Sequence, residues 1–118
     1  MGRMKVSSLT HYANGLPRIL QRDAAVLLMR ELLAEGGRLV WAIHSQARME
    51  ERDISATQVL HVLQRGHIVD DPVWNANHQN WEFGMQEISA GELIMVRVAI
   101  DVERLMGQVV LVITAFVK

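Results

Sequence analysis

The sequence has no cysteine, two prolines and few aromatic residues, namely three tryptophans, one tyrosine and two phenylalanines. The absence of cysteine excludes a disulfide framework, a thiolate metal site and a cysteine nucleophile, and it fits a reducing compartment. No apolar run approaches the roughly 20 residues that a transmembrane helix needs. The N-terminus also lacks the apolar stretch of a signal peptide. We therefore expect a cytoplasmic protein that does not contact the membrane.

A strong excess of charge of one sign is also missing, because the formal net charge of the 118 residues is −1. Half of the residues are apolar and 21% are charged, which is typical of one packed globular domain. Residues 68–118 contain three basic and seven acidic side chains. Since a nucleic-acid-binding protein usually has a strongly basic surface, overall charge does not favour such a partner, although one basic patch can act alone.

The N-terminal half has helical spacing of its apolar residues. Between Pro17 and Gly36 this spacing predicts a helix over residues 16–35, whose wide apolar face is either well buried or packs against a second copy of the chain. A short helix is predicted over residues 44–52. A further helix begins after Ser55, which has capping-box spacing to Gln58, and ends at Gly66.

After Gly66 the apolar residues alternate, which is typical of strands. Residues 38–43 are read as a short strand or an extended connector, and the Asn-rich residues 74–80 as a loop. Strands are predicted at residues 67–71, 81–86, 94–100 and 109–117. The expected fold is α+β, with N-terminal helices packed on one face of a small antiparallel sheet of three to four strands.

The candidate site lies on the short helix, where His44, Arg48 and Arg52 follow one another at intervals of four residues and so share a face. An imidazole can move a proton near neutral pH, and two guanidiniums can hold phosphate oxygens and stabilise developing negative charge. This combination fits phosphodiester chemistry. The alternative is a solvated helix face, with Arg48 paired to Glu51 and Arg52 paired to Asp53 or to an acidic residue elsewhere.

Two residues of the strand half are also candidates for binding a substrate. Arg97 interrupts an apolar strand and either joins the His44 cluster or is a rim arginine that extends to water. Trp81 either stacks on a base or belongs to the core. The histidines lack the spacing of a metal site and no glycine-rich phosphate loop is present, so neither a metal nor a cofactor is predicted.

The string His44-x-x-x-Arg48-Met49-x-x-Arg52-Asp53-Ile54-Ser55 resembles the signature of a family of small uncharacterised bacterial proteins. This domain-of-unknown-function family is grouped with RelE- and BrnT-like toxins. Further similar segments continue the resemblance over about residues 38–117, and helix 16–35 lies outside it. They are Val59-Leu60-x-x-Leu63-x-x-Gly66-x-Ile68, Val96-Arg97-Val98-Ala99 and Val112-Ile113-Thr114-Ala115-Phe116.

The resemblance implies one domain over residues 1–118, with a helical extension at 1–37 and a RelE-like core at 38–118. It also implies a toxin-like, metal-independent endoribonuclease of a toxin–antitoxin or competition system, in which the 2′-hydroxyl of the RNA attacks the neighbouring phosphate. By this resemblance the partners are RNA and a cognate antitoxin or immunity protein.

The same resemblance makes His44 the acid–base candidate, Arg48 and Arg52 the phosphate clamp, and Thr114 a hydroxyl that faces the site. The residues alone leave a second interpretation of Thr114, a buried threonine bonded to the backbone in line with Val110 and Val112. The alternative function is a non-catalytic RelE-like binding or dimerisation module that forms a homodimer through helix 16–35.

Overall fold

The computed structural model describes residues 20–34, 38–101 and 109–118. Within these ranges the helices are α1 (Arg22–Ala34), α2 (Ser45–Glu51) and α3 (Ala56–Arg65). The strands are β1 (Arg38–Trp41), β2 (His67–Ile68), β3 (Val73–Asn75), β4 (Asn80–Ser89), β5 (Glu92–Asp101) and β6 (Val109–Val117).

The strands form one mixed sheet of six, in the order β1-β6-β5-β4-β2, with β3 also paired to β4. β1 is parallel to β6, and the other pairs are antiparallel. The chain is therefore α+β as expected, but the predicted RelE-like sheet of three to four antiparallel strands is wrong. The sheet is larger because three short strands extend it at its edges.

β2 lies within the strand predicted at residues 67–71, β1 lies where we expected a short strand or a connector, and β3 was not predicted. The four residues of β1 are too few to show alternation, and their parallel partner lies at the other end of the chain. β3 lies in the Asn-rich segment that we predicted to be a loop, yet it forms a hairpin with β4. In this hairpin Trp74 lies opposite Trp81, with ring centroids 5.4 Å apart. A cross-strand aromatic pair of this kind stabilises a hairpin despite a polar composition.

The predicted helix 16–35 is also corrected at its start, because Leu20 and Gln21 are not helical and α1 begins at Arg22. Residues 16–19 and 35–37 lie outside the described residues. The buried apolar residues of α1 belong to the same core cluster as the sheet, so its apolar face packs within the chain. These residues are Ala25, Leu28, Met29 and Leu32.

The predicted α3 is confirmed at both ends. The Ser55 side chain accepts a hydrogen bond from the Gln58 backbone, the Gln58 side chain accepts one from the Ser55 backbone, and the helix ends at Gly66. The guanidinium of Arg30 on α1 donates to the carbonyls of Leu63 and Gly66 at 3.1 and 2.9 Å, which ties the two helices together. No helix in the described ranges is long and apolar enough to cross a membrane.

Candidate functional site

Helix α2 contains Arg48, and the other two predicted residues flank it, His44 as its N-cap and Arg52 as its C-cap. Its end follows the Schellman pattern, because the Ile54 N–H donates to the Met49 carbonyl at 2.8 Å and the Asp53 N–H to the Glu50 carbonyl at 3.2 Å. Met49 and Ile54 are both buried in the core, so this seven-residue helix is anchored at its C-terminal end. The anchor fixes Arg52, the C-cap residue, against the sheet.

The N-terminal end of α2 is built differently. His44 is the N-cap residue, has a left-handed backbone with φ of 77°, and makes no side-chain capping hydrogen bond. Its carbonyl accepts the Arg48 N–H at 3.0 Å, and the Arg48 carbonyl accepts the Arg52 N–H at 3.0 Å. The three residues therefore lie in successive turns, with their backbones spread over about 12 Å at a rise of 1.5 Å per residue.

The side chains of His44 and Arg48 are exposed, whereas Arg52 is half-buried. Among residues 20–34, 38–101 and 109–118, neither Arg48 with Glu51 nor Arg52 with Asp53 forms an ion pair. The local ion pairs of the alternative interpretation are therefore absent from the described residues, but His44 and Arg48 lie on a solvated face as that interpretation expects. His44 and Arg48 extend into solvent, and Arg52 turns towards the sheet.

Arg52 contacts the edge of β6, where its Nη1 donates to the Ala115 carbonyl at 2.8 Å and to the Thr114 Oγ1 at 3.2 Å. β1 pairs with β6 only as far as Val112. The Lys118 N–H donates to Leu93 on β5, and bonding direction alternates along a strand, so the Ala115 carbonyl points away from β5. The guanidinium thus takes the place of a neighbouring strand and satisfies this carbonyl.

A β-bulge in β6 determines where Thr114 points. Thr114 pairs with Arg97 but Val112 pairs with Val98, so Ile113 is an extra residue between them. The alternation is reversed there: Ala115 joins Val112 on the buried face, and Thr114 lies on the opposite face. The interpretation of Thr114 as a buried threonine in line with Val110 and Val112 is therefore wrong, because a bulge re-aims the side chains that follow it.

Arg97 lies directly opposite Thr114 on β5. Its neighbours Val96 and Val98 are buried on the face that packs on the helices, so Arg97 lies on the other face and not under α2. Its Nη1 donates to Asp70 Oδ2 at 2.8 Å, and its side chain is 32% exposed. Arg97 therefore shares a sheet face with Thr114, its register partner, and its side-chain hydrogen bond is made to Asp70.

Arg52 bonds Thr114, Thr114 lies opposite Arg97 in register, and Arg97 bonds Asp70. We call these four residues the arginine row. A guanidinium has five N–H groups, and Arg52 and Arg97 each bond the protein through Nη1 alone among the described residues. The remaining N–H groups of both arginines have no partner within the part of the chain that the structure describes. Two guanidiniums beside a hydroxyl form a set of donors suited to a phosphate group.

Trp81, the other predicted binding residue, is only 4% exposed and packs against Trp74 in the core. Its indole Nε1 is buried and has no hydrogen-bond partner among the described residues. The ring is therefore not available to stack on a base, and the interpretation of Trp81 as a core residue is the right one.

Unlike the arginine row, the cleft beside α2 is lined by acidic side chains. A cleft of about 450 Å³ at the C-terminal end of α2 includes the carboxylates of Glu50, Asp53 and Glu92 in its lining. Like charges repel, so this cleft disfavours a phosphate. No group of three or more His, Cys, Asp or Glu residues in the described part of the chain is arranged to hold a metal ion.

The sequence reasoning missed Asp70 and Gly84 as members of the site. Asp70 Oδ1 accepts the Gly84 N–H at 2.7 Å, and Gly84 lies opposite Arg97 on β4. A Cβ at Gly84 would lie 3.0 Å from Val69 Cγ2 and 3.2 Å from the Met95 sulfur. A glycine inside an alternating strand signals such a close approach, and this signal was present in the sequence.

A comparison with protein families gives a match that covers most of the chain. The sequence profile of a family described as "Domain of unknown function (DUF4258)" matches residues 41–117. The matched range contains α2, all members of the arginine row and every predicted site residue. No curated protein and no solved structure matches the chain.

Proposed function

We propose that the chain, which belongs to the domain-of-unknown-function family DUF4258, is a metal-independent endoribonuclease. Its grouping with RelE- and BrnT-like toxins is part of the proposal. So is the biological setting, a toxin–antitoxin or competition system in which a cognate antitoxin or immunity protein neutralises the enzyme.

The proposal rests mainly on the relative positions of Arg52, Thr114 and Arg97. The first two come from positions 62 residues apart in the sequence and share a hydrogen bond, and the third lies directly across the sheet from Thr114. The N–H groups of Arg52 and Arg97 that have no partner among the described residues favour a ligand with several oxygen acceptors, and a phosphodiester is such a ligand.

The proposed reaction needs the RNA, four side chains and water. The 2′-oxygen of one nucleotide attacks the adjacent phosphorus, the bond from phosphorus to the 5′-oxygen breaks, and a 2′,3′-cyclic phosphate and a 5′-hydroxyl result. Arg52 and Arg97 hold the non-bridging oxygens, where negative charge grows. His44 takes the proton of the 2′-hydroxyl while water protonates the leaving 5′-oxygen, or His44 protonates the leaving oxygen while water takes the first proton. Arg48 holds a flanking phosphate.

The backbone of His44 presents the imidazole to solvent. Its left-handed conformation belongs to a turn in which the Ser45 N–H donates to the Ala42 carbonyl at 3.0 Å. The His44 side chain makes no capping hydrogen bond and is exposed, so a substrate can reach it.

Expression in a bacterial host tests the proposal. We expect the wild-type chain to slow growth and to degrade cellular RNA, and the double variant His44→Asn with Arg48→Ala to lose both effects. Asparagine tolerates the left-handed backbone, and both side chains are exposed, so the variant keeps its fold. Removal of a general acid–base group slows cleavage by roughly 100- to 10,000-fold.

The matched control is Gln46→Ala, a change on the exposed surface of the same helix. It should leave growth inhibition and RNA degradation at the wild-type level. Equal toxicity and equal RNA degradation in the wild type and the double variant would refute the assigned roles.

A second candidate function is a non-catalytic binding or dimerisation module. It is favoured by the fact that both arginines already bond the protein, Arg52 at the strand edge and Arg97 to Asp70. The proposed homodimer through residues 16–35 has less support, since α1 exposes one large apolar side chain, Leu27 at 53%, in its described part. A chain that binds RNA or a protein but leaves RNA intact would favour this module.

A further inference from the structure

We infer that Asp70 is a positioning residue, which orients the guanidinium of Arg97 for the phosphate; this inference rests on the proposed function. Asp70 lies in the bend between β2 and β3 and uses its two carboxylate oxygens separately. Oδ1 accepts the Gly84 N–H at 2.7 Å, and Oδ2 accepts Arg97 Nη1 at 2.8 Å. The carboxylate therefore connects the backbone of β4 to the side chain of β5.

The support behind Asp70 is rigid. Gly84 lies within the ten-residue strand β4 and is buried, and its N–H is fixed by the strand backbone. The missing side chain at Gly84 leaves room for Asp70, because an added Cβ would lie 3.4 Å from Asp70 Oδ1 and closer still to Val69 and Met95. A group held by a strand backbone restricts the orientation of its partner more than a second flexible side chain would.

The geometry also leaves Arg97 free to act. Asp70 engages Nη1 alone, so the other nitrogens of Arg97 have no protein partner among the described residues. A paired arginine of this kind loses rotational freedom before the ligand arrives, and less entropy is then lost on binding. The alternative is that Asp70 merely neutralises Arg97. The two roles predict opposite effects on binding of an anion.

The chain offers a matched control for this distinction. Asp71 adjoins Asp70 and forms an ion pair with Arg22 at 2.7 Å, but its side chain is 83% exposed. Asp70→Asn and Asp71→Asn change the net charge of the protein by the same amount. Only the first removes the carboxylate from Arg97, and its amide oxygen can still accept the Gly84 N–H, so the fold is retained.

The experiment uses the full chain and a single-stranded RNA with every 2′-hydroxyl replaced by hydrogen, which cannot be cleaved by 2′-attack. We expect Asp70→Asn to weaken binding of this nucleic acid and Asp71→Asn to leave the binding unchanged. Arg97→Gln should also weaken the binding, and adding Asp70→Asn to Arg97→Gln should cause no further loss. On intact RNA, Asp70→Asn should lower kcat up to roughly 100-fold, the scale of a misplaced catalytic group. Tighter binding by Asp70→Asn, or equal effects of the two Asn variants, would overturn the positioning role.

A second readout separates this inference from the proposed function. The ¹⁵N heteronuclear NOE of the Arg97 Nε–H group reports how rigid the side chain is and needs no substrate. It should be high in the wild type and in Asp71→Asn, and low in Asp70→Asn. A rigid Arg97 in Asp70→Asn refutes positioning. If Arg97 becomes mobile while the wild-type chain leaves RNA intact, the proposed function fails and the positioning of Arg97 stands.

Discussion

Helices α2 and α3 are neighbours in the chain but are built by opposite rules. α3 begins with a complete capping box and buries Val59, Val62 and Leu63. α2 has seven residues, begins at a left-handed His44 without a side-chain cap, and exposes most of its length. Consistent local rules serve stability, and violations concentrate where function is located. We infer from this difference that α3 stabilises the fold, whereas α2 positions the proposed site residues His44, Arg48 and Arg52.

The largest expected effect on stability lies in α3. Leu63 is fully buried, so Leu63→Ala removes apolar contacts and leaves a cavity, which should lower the free energy of unfolding by about 3 kcal/mol. Gln46→Ala on the exposed face of α2 is the control and should change it by less than about 0.5 kcal/mol. Urea denaturation measures both. Equal losses in the two variants would remove the distinction between the helices.

An intermediate effect is expected at the N-cap of α3. Ser55→Ala removes the hydroxyl that accepts the Gln58 N–H at 3.1 Å and should lower the free energy of unfolding by about 1 kcal/mol. Ser55→Gly should cost only a few tenths of that energy, since glycine is itself a tolerated N-cap. The midpoint of urea unfolding distinguishes the two variants. An unchanged midpoint in Ser55→Ala would mean that the capping box contributes little here.

The smallest effect, of opposite sign, is expected at the N-cap of α2. His44→Gly relieves the left-handed conformation at φ of 77° and removes no side-chain hydrogen bond to any described residue, so the free energy of unfolding should rise by about 0.5 to 1 kcal/mol. The same variant should lose ribonuclease activity. A less stable His44→Gly chain would show that the imidazole supports the fold, and the contrast between the helices would then weaken.

The predictable part of the fold is the part whose signals are local. Ser55, Gln58 and Gly66 marked α3 because caps act within a few residues, and alternation marked β4 and β5. The pairing of β1 could not be predicted from the sequence, because this four-residue parallel strand pairs with β6 at the far end of the chain. β3 was missed because the contact between Trp74 and Trp81 overrides an Asn-rich composition.

The same distinction between local and long-range signals applies to the candidate site. The order of His44, Arg48 and Arg52 along α2 was predicted from helical spacing and is seen in the backbone hydrogen bonds. The orientation of Thr114 depends on the bulge at Ile113, which moves Thr114 to the other face of the sheet. The order of apolar residues along β6 does not reveal this bulge. Asp70 joins the site through an ion pair with a residue 27 positions away, which helical or strand periodicity cannot reveal.

The most direct test of the account is cleavage of a labelled single-stranded RNA by the purified chain in the presence of a metal chelator, with the ends of the products identified. We expect products with a 2′,3′-cyclic phosphate and a 5′-hydroxyl from the wild type, and cleavage reduced at least about 100-fold in His44→Asn. Intact RNA with the folded wild-type chain, or equal cleavage by His44→Asn, would contradict the account.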